Sequence, residues 1–291
     1  MNPATLPTPP IDRLGPLLDR FRVRAELFHA GALCGITRFA PEPGRAFLHV
    51  LRQGELKVRH GEDGALRTVP APALLFYPRS FDHAFVNPPV DGADFVCATL
   101  AFEGGDRHPI AAALPDAVIL PVAAVPGLQD TLTLLFAEAD RVACGSRVVL
   151  DRLFDVVLVQ VLRALLSDEH AGVGRTGVMA GLAHPRLAPL LTALHHAPGE
   201  AWPLARMAAV AGLSRSAFAD TFARVVGTTP AAYLNAWRID LACRDLRAGR
   251  PVGLVADRLG FSGSAAFSRA FRERMGRSPR EWRALQLGEN P

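Results

Sequence analysis

Hydrophobic and polar positions change rhythm along the chain. Between residues 30 and 102, short alternating or apolar runs (GALCGITRF, RAFLHVL, GELKVRH, ALRTV, ALLFY and DFVCATLAF) are split by Gly, Pro and Asp. That rhythm predicts short strands joined by turns, as in a sandwich or small barrel. Helical periodicity follows over 128–142 and 147–166. In the second stretch Val149, Leu153, Val156, Val157, Val161 and Leu165 recur at a spacing of three to four. Residues 167–177, SDEHAGVGRTG, are polar and Gly-rich and read as a linker. From His184 onward the pattern is helical with short turns. Pro3, Pro7, Pro9 and Pro10 mark residues 1–12 as a flexible tail. The expected fold class is therefore α+β in two domains, a β-barrel with following helices and an all-α C-terminal domain.

The C-terminal stretch carries one pattern twice. Ala208, Gly212 and Ser214 match Ala256, Gly260 and Ser262 at an offset of 48. Phe218, Phe222, Gly227 and Pro230 match Phe267, Phe271, Gly276 and Pro279 at 49, so one residue is inserted near Gly263. Each copy reads as a short helix ended by a glycine, an apolar residue (Leu213 or Phe261), and a serine capping the next helix (Ser214 or Ser262). The paired phenylalanines face inward, and a Thr-Pro or Ser-Pro step opens the following helix. This is helix, tight turn, helix, repeated. One long helix over 230–248, carrying Trp237, joins the copies.

Charge supports a phosphate-rich partner for this stretch. The whole chain carries a net charge of +4 over 291 residues. From His184 onward, 15 arginines and no lysine stand against eight acidic residues, a net +7, while residues 1–183 carry −3. Such a segment suits nucleic acid. At 49% hydrophobic residues the chain has matter for a core, and no run is long enough for a membrane span. The N-terminus lacks the basic start and apolar stretch of a signal peptide, and four scattered cysteines do not form a secreted disulfide framework. A cytoplasmic protein is expected. No phosphate-cradling glycine loop, Gly-x-Ser-x-Gly elbow or Cys-x-x-Cys pair suggests catalysis, so the expectation is a protein that is not an enzyme.

On these motifs, residues 184–287 resemble the DNA-binding domain of AraC/XylS-family transcription regulators. The stretch LGFSGSAAFSRAFRERMGRSPREWR lies especially close, departing at Gly263, where the family usually has a larger residue. The resemblance implies two recognition helices entering successive major-groove segments of double-stranded DNA about 34 Å apart. Arg215, Ser216 and Asp220 in the first helix, and Ser264, Ser268 and Arg269 in the second, are the candidate base-reading residues. Arg269 suits a bidentate contact to guanine. Arg224, Arg272 and Arg274 are candidates for phosphate contacts, which position without reading sequence.

The runs FLHVLRQGELKV, LLFYPRSFDHAF, FVCATLAF and ALPDAVILP resemble the cupin-type sensor domain that precedes such DNA-binding domains. The resemblance divides the chain into a tail (1–12), a cupin-like sensor barrel (13–125), a helical pair suited to dimerisation (126–166), a linker (167–183) and the DNA-binding domain (184–287). It implies an unidentified small-molecule effector and a homodimer, with Phe47, His49, Phe76, His83 and Phe95 as candidate sensing residues. Two alternatives stay open. Cys34 and Cys97 could form a thiol switch. His49, His83, Cys34 and Cys97 could together bind zinc, or the barrel could be a metal-dependent cupin enzyme. Metal cupins present paired histidines at i and i+2, a glutamate and a third histidine, whereas here His49 is followed by Leu51 and Glu55, with His83 near the third position. No cofactor is otherwise expected. Cys144 and Cys243 fall on helical segments and are expected to be buried.

Overall fold

The computed structural model describes residues 12–87, 92–141, 143–167 and 176–287. It divides into two compact units. One contains residues 21–183; the other contains the described residues up to Arg20 together with those from His184 onward. Apart from Asp12, the expected tail lies outside the described residues.

Among the described residues, the first unit is built on nine antiparallel strands. They are β1 (Val23–Leu33), β2 (Ile36–Phe39), β3 (Arg45–Gln53), β4 (Glu55–His60), β5 (Arg67–Pro70), β6 (Ala73–Tyr77), β7 (His83–Val86), β8 (Ala93–Phe102) and β9 (Val118–Pro121). One sheet runs β1-β8-β3-β6-β9 and the other β2-β7-β4-β5. Strand side chains alternate between faces, so Phe47, Leu51, Leu75, Tyr77, Phe85, Phe95 and Cys97 all enter the shared interior. Phe76 falls on the opposite parity from Leu75 and Tyr77. It is fully buried but stands outside that interior cluster, which corrects its candidacy as a sensing residue.

Helices α2 (Pro109–Ala113), α3 (Leu128–Ala139), α4 (Ser146–Leu165) and α5 (Val178–Ala183) complete this unit. β1 is an edge strand, and α4 covers its edge. The Leu27 amide donates to Asp151 (2.9 Å) and the Ala25 amide to Asp155 (3.3 Å), which removes two donors from an otherwise open edge. Arg147 of α4 also pairs with Glu26 of β1. The apolar positions of α4 divide accordingly. Phe154, Val157, Val161 and Leu165 are buried, whereas Val148, Val149 and Val156 are exposed. Residues 178–183, expected as linker, are helical and bury Val178, Met179 and Leu182. Cys144, expected to be buried on a helix, is exposed in the turn before α4; Cys243 is buried. No helix among the described residues is long and apolar enough to cross a membrane.

The second unit is all-α: α1 (Gly15–Leu18), α6 (Ala188–His196), α7 (Leu204–Val210), α8 (Arg215–Val226), α9 (Pro230–Arg247), α10 (Val252–Arg258), α11 (Ser264–Met275) and α12 (Pro279–Leu287). Residues 13–20, expected to open the barrel domain, belong here instead. Leu14 and Leu17 are buried as α1 packs on α6. Arg20 donates to the His196 carbonyl (2.7 Å), and Arg244 donates to the Arg20 carbonyl (2.5 Å). The physical reason is apolar burial by a helix too short to show a period in sequence.

Candidate nucleic-acid interface and barrel interior

Each copy of the repeat folds as its residues dictate. Phe218 and Phe222 lie four apart on α8, and Phe267 and Phe271 four apart on α11; all are fully buried. Their ring centroids stand 5.7 Å apart at 64° in the first copy and 5.6 Å at 67° in the second. The first pair is closed by Tyr233 of α9, the second by Trp282 of α12.

The helix starts differ. Ser214 accepts from the Ala217 amide, as expected. In the second copy the inserted residue moves the helix start, so Ser262 does not cap. Gly263 takes the cap position with φ at +146°, a conformation open to glycine but strained for other residues, and supplies no side-chain bond. The family-atypical glycine is therefore what its backbone requires.

Arg215, Ser216, Asp220 and Arg224 are exposed on α8. On α11, Ser264, Arg269 and Arg272 are exposed and Ser268 is half-buried. Arg274, expected to hold phosphate, instead grips Asp240 of α9 at 2.8 Å. It acts within the fold.

Sequence reasoning missed the residue that holds the two copies in one frame. Arg238 on α9 is 9% exposed. It donates to the carbonyls of Pro198 (2.8 Å) and Glu200 (2.9 Å) ahead of α7, and of Gly260 (3.3 Å) in the second turn. Three carbonyls take up three of its five N–H donors at a site where burial lowers its basicity. A Cβ at Gly260 would lie 2.2 Å from the Gly199 carbonyl oxygen, so this close approach requires glycine. An arginine within a helical period carries no sequence mark of such a role. Asp245, also buried, pairs with Arg258 and Arg250.

In the barrel, the two candidate histidines do meet. Nε2 of His49 and Nε2 of His83 lie 3.1 Å apart, and Nδ1 of His83 lies 2.9 Å from the Phe81 carbonyl oxygen. Burial, together with the neighbouring histidines, holds His49 well below the usual imidazole range. Burial pushes His83 down to about 4. Both are neutral at pH 7. His60 and Tyr77, not anticipated, pair at 3.0 Å, with Tyr77 stacked on His83 at 3.8 Å. Phe47 and Phe95 line the interior as expected.

The cysteines do not join the histidines as a set. Cys97 pairs across strands with His49, but Cys34 follows Leu33, whose partner is Ala93. The two cysteines are thus about five strand positions apart, roughly 16 Å at ~3.3 Å per residue, whereas a disulfide needs Cα atoms within about 7 Å. Cys97 is fully buried and burial pushes its thiol up, while Cys34 is exposed. A paired Cys34–Cys97 switch and a four-ligand zinc site are both corrected by this geometry. Among the described residues no three His, Cys, Asp or Glu side chains converge as metal ligands, and a structural zinc needs four ligands, a catalytic one three.

A β-barrel with an aromatic and imidazole interior, followed by two matched helix-turn-helix units, defines a class of two-part proteins. Comparison with known proteins agrees. The cupin family pattern matches residues 12–167, more than half the chain, and a helix-turn-helix domain pattern matches 207–285. An AraC-like transcription regulator of Streptomyces antibioticus is 36% identical over 173 residues, covering 58% of this chain and 56% of that protein. The transcriptional activator RclR of Escherichia coli (strain K12) is 25% identical over 240 residues, covering 81% of this chain and 83% of its own. The DNA-binding domain of AdpA, solved in complex with a target DNA, is 31% identical, covering 36% of this chain and 94% of that one, with a TM-score of 0.34. The chain spans just over half the length of the Streptomyces relatives it matches, 56% and 51%. The chain belongs to the cupin family over residues 12–167, carries a helix-turn-helix domain over 207–285, and is similar to AraC-like transcription regulators.

Proposed function

We propose that the protein is a sequence-specific regulator of transcription in the cytoplasm. α8 and α11 read double-stranded DNA, and the barrel senses a small molecule. The observation that carries the reading is the matched pair of recognition helices. Their cores have nearly the same geometry, yet they present different polar side chains outward. Arg215, Ser216, Asp220, Ser264, Ser268 and Arg269 read base edges, and Arg224 and Arg272 neutralise phosphates. The exposed Val148, Val149 and Val156 of α4 support a homodimer through that helix. The barrel supplies ligand contacts and no catalysis.

Selection of bound fragments from genomic DNA, followed by footprinting, tests this. The expected result is a protected stretch spanning two successive major grooves, with affinity falling steeply as salt rises. Binding that is independent of sequence would remove the reading.

A further inference from the structure

The hydrogen bonds around His49 have a fixed polarity. A carbonyl oxygen only accepts, so Nδ1 of His83 donates to Phe81. With that ring neutral, its Nε2 carries a lone pair and accepts. Nε2 of His49 must therefore donate across the 3.1 Å contact. The remaining nitrogen, Nδ1 of His49, is then a bare acceptor. It is buried and meets no donor among the described residues. Such an atom is costly to bury without a partner.

The surroundings restrict what could serve it. Phe39, Phe47, Tyr77 and Phe85 lie within 6 Å of the His49 ring, centroid to centroid, and all are buried. Among the described residues of the barrel, no Asp, Glu, Lys or Arg is buried. One further ring, Phe28, touches His49 at 6.1 Å and is 42% exposed. Phe28 sits where β1 slips register between Leu27 and His29, so it is the extra residue of a bulge on an edge strand. A ring there is the one positioned to swing out and be replaced.

Resting on the reading of the barrel as a sensor, we infer that His49 is the recognition residue for an uncharged aromatic ligand. That ligand carries one O–H or N–H donor, as a phenol or indole does. It takes the place of the Phe28 ring and donates to Nδ1 of His49. A metal ion does not suit this site, because among the described residues no three His, Cys, Asp or Glu side chains converge as ligands.

The test uses the full chain labelled with ¹⁵N-histidine, and two probes of like shape, phenol and toluene. Long-range ¹H–¹⁵N spectra at neutral pH should show His49 protonated on Nε2 and His83 on Nδ1. Phenol should shift the His49 Nδ1 resonance and bind about tenfold more tightly than toluene. His49→Phe should erase that preference while toluene still binds, and Phe28→Ala should strengthen both probes and keep their ratio. His49 found protonated on Nδ1, equal binding of the probes, or binding of neither would overturn the inference. Were His49→Phe not to fold, the wild-type tautomer and probe ratio still decide it. Preferential phenol binding that leaves DNA affinity unchanged would uphold the site and remove the sensor role. Intact DNA binding with no phenol preference would do the reverse.

Discussion

The two helix-turn-helix copies share an interior and differ in what they show the solvent. Aligned on their phenylalanines at the offset of 49, Arg215 corresponds to Ser264, Ser216 to Ala265, Asp220 to Arg269 and Arg224 to Glu273. The buried pairs agree to within 0.1 Å and a few degrees. Packing tolerates little change in volume or shape. An exposed face is free to diverge, and here charge is exchanged at matched positions. On the proposed function, the two helices would prefer different bases, which would make the DNA site asymmetric within one chain.

The strongest challenge to this equivalence strikes the shared interior. Phe222→Ala and Phe271→Ala should each lower stability by about 3–5 kcal/mol, measured by denaturant unfolding. A loss under about 1 kcal/mol in one of them would show that the copies are not packed alike. Acid should then separate the copies. His195 is buried, stacks on Trp237 at 4.1 Å, and lies 2.6 Å from the Tyr233 hydroxyl behind Phe222. Burial pushes its pKa down to about 3. Its unfolded value is about 6.5, so its contribution is complete above that pH and is lost as pH falls toward 3. By pH 5 the loss is about 2 kcal/mol, and hydrogen exchange should quicken in α8 before α11. Simultaneous opening would contradict a role confined to the first copy.

The outward faces are tested by base substitution. Arg269→Ala should relax preference at one base pair by about 1–3 kcal/mol, and Asp220→Ala should move preference at a different position. A uniform loss on every duplex would reassign Arg269 to phosphate. The smallest effect concerns the helix starts. Ser214→Ala should cost about 1 kcal/mol, whereas Ser262→Ala should cost less than about 0.5 kcal/mol, read from thermal or denaturant unfolding. Equal costs would restore Ser262 as a cap.

Legibility in sequence followed the same division. Phe218, Phe222, Phe267 and Phe271 declared themselves because helical period, glycine stops and a fixed offset all agree. Ser262 misled because one inserted residue moves a cap without altering the pattern around it. In the barrel, His49, His83, Phe47 and Phe95 were legible as candidates, but Phe76 was misplaced because a run of five apolar residues hides its parity. Pairing of Cys34 with Cys97 depends on strand register, which pattern alone does not fix. Phe28 and the His60–Tyr77 contact come from a bulge and from long-range closure. Arg238 and α1 escaped because their roles exist only once distant segments have met.

The chain visits its helical unit before it ever enters the barrel: it departs at Arg20 and comes back at His184. In topological terms the barrel is a guest inserted into a host, held by two leads rather than one. A fragment cut at His184 would discard Leu14, Leu17 and the Arg20 carbonyl that Arg244 grips, leaving the host with an open flank. The guest thus has two covalent connections to the helical unit.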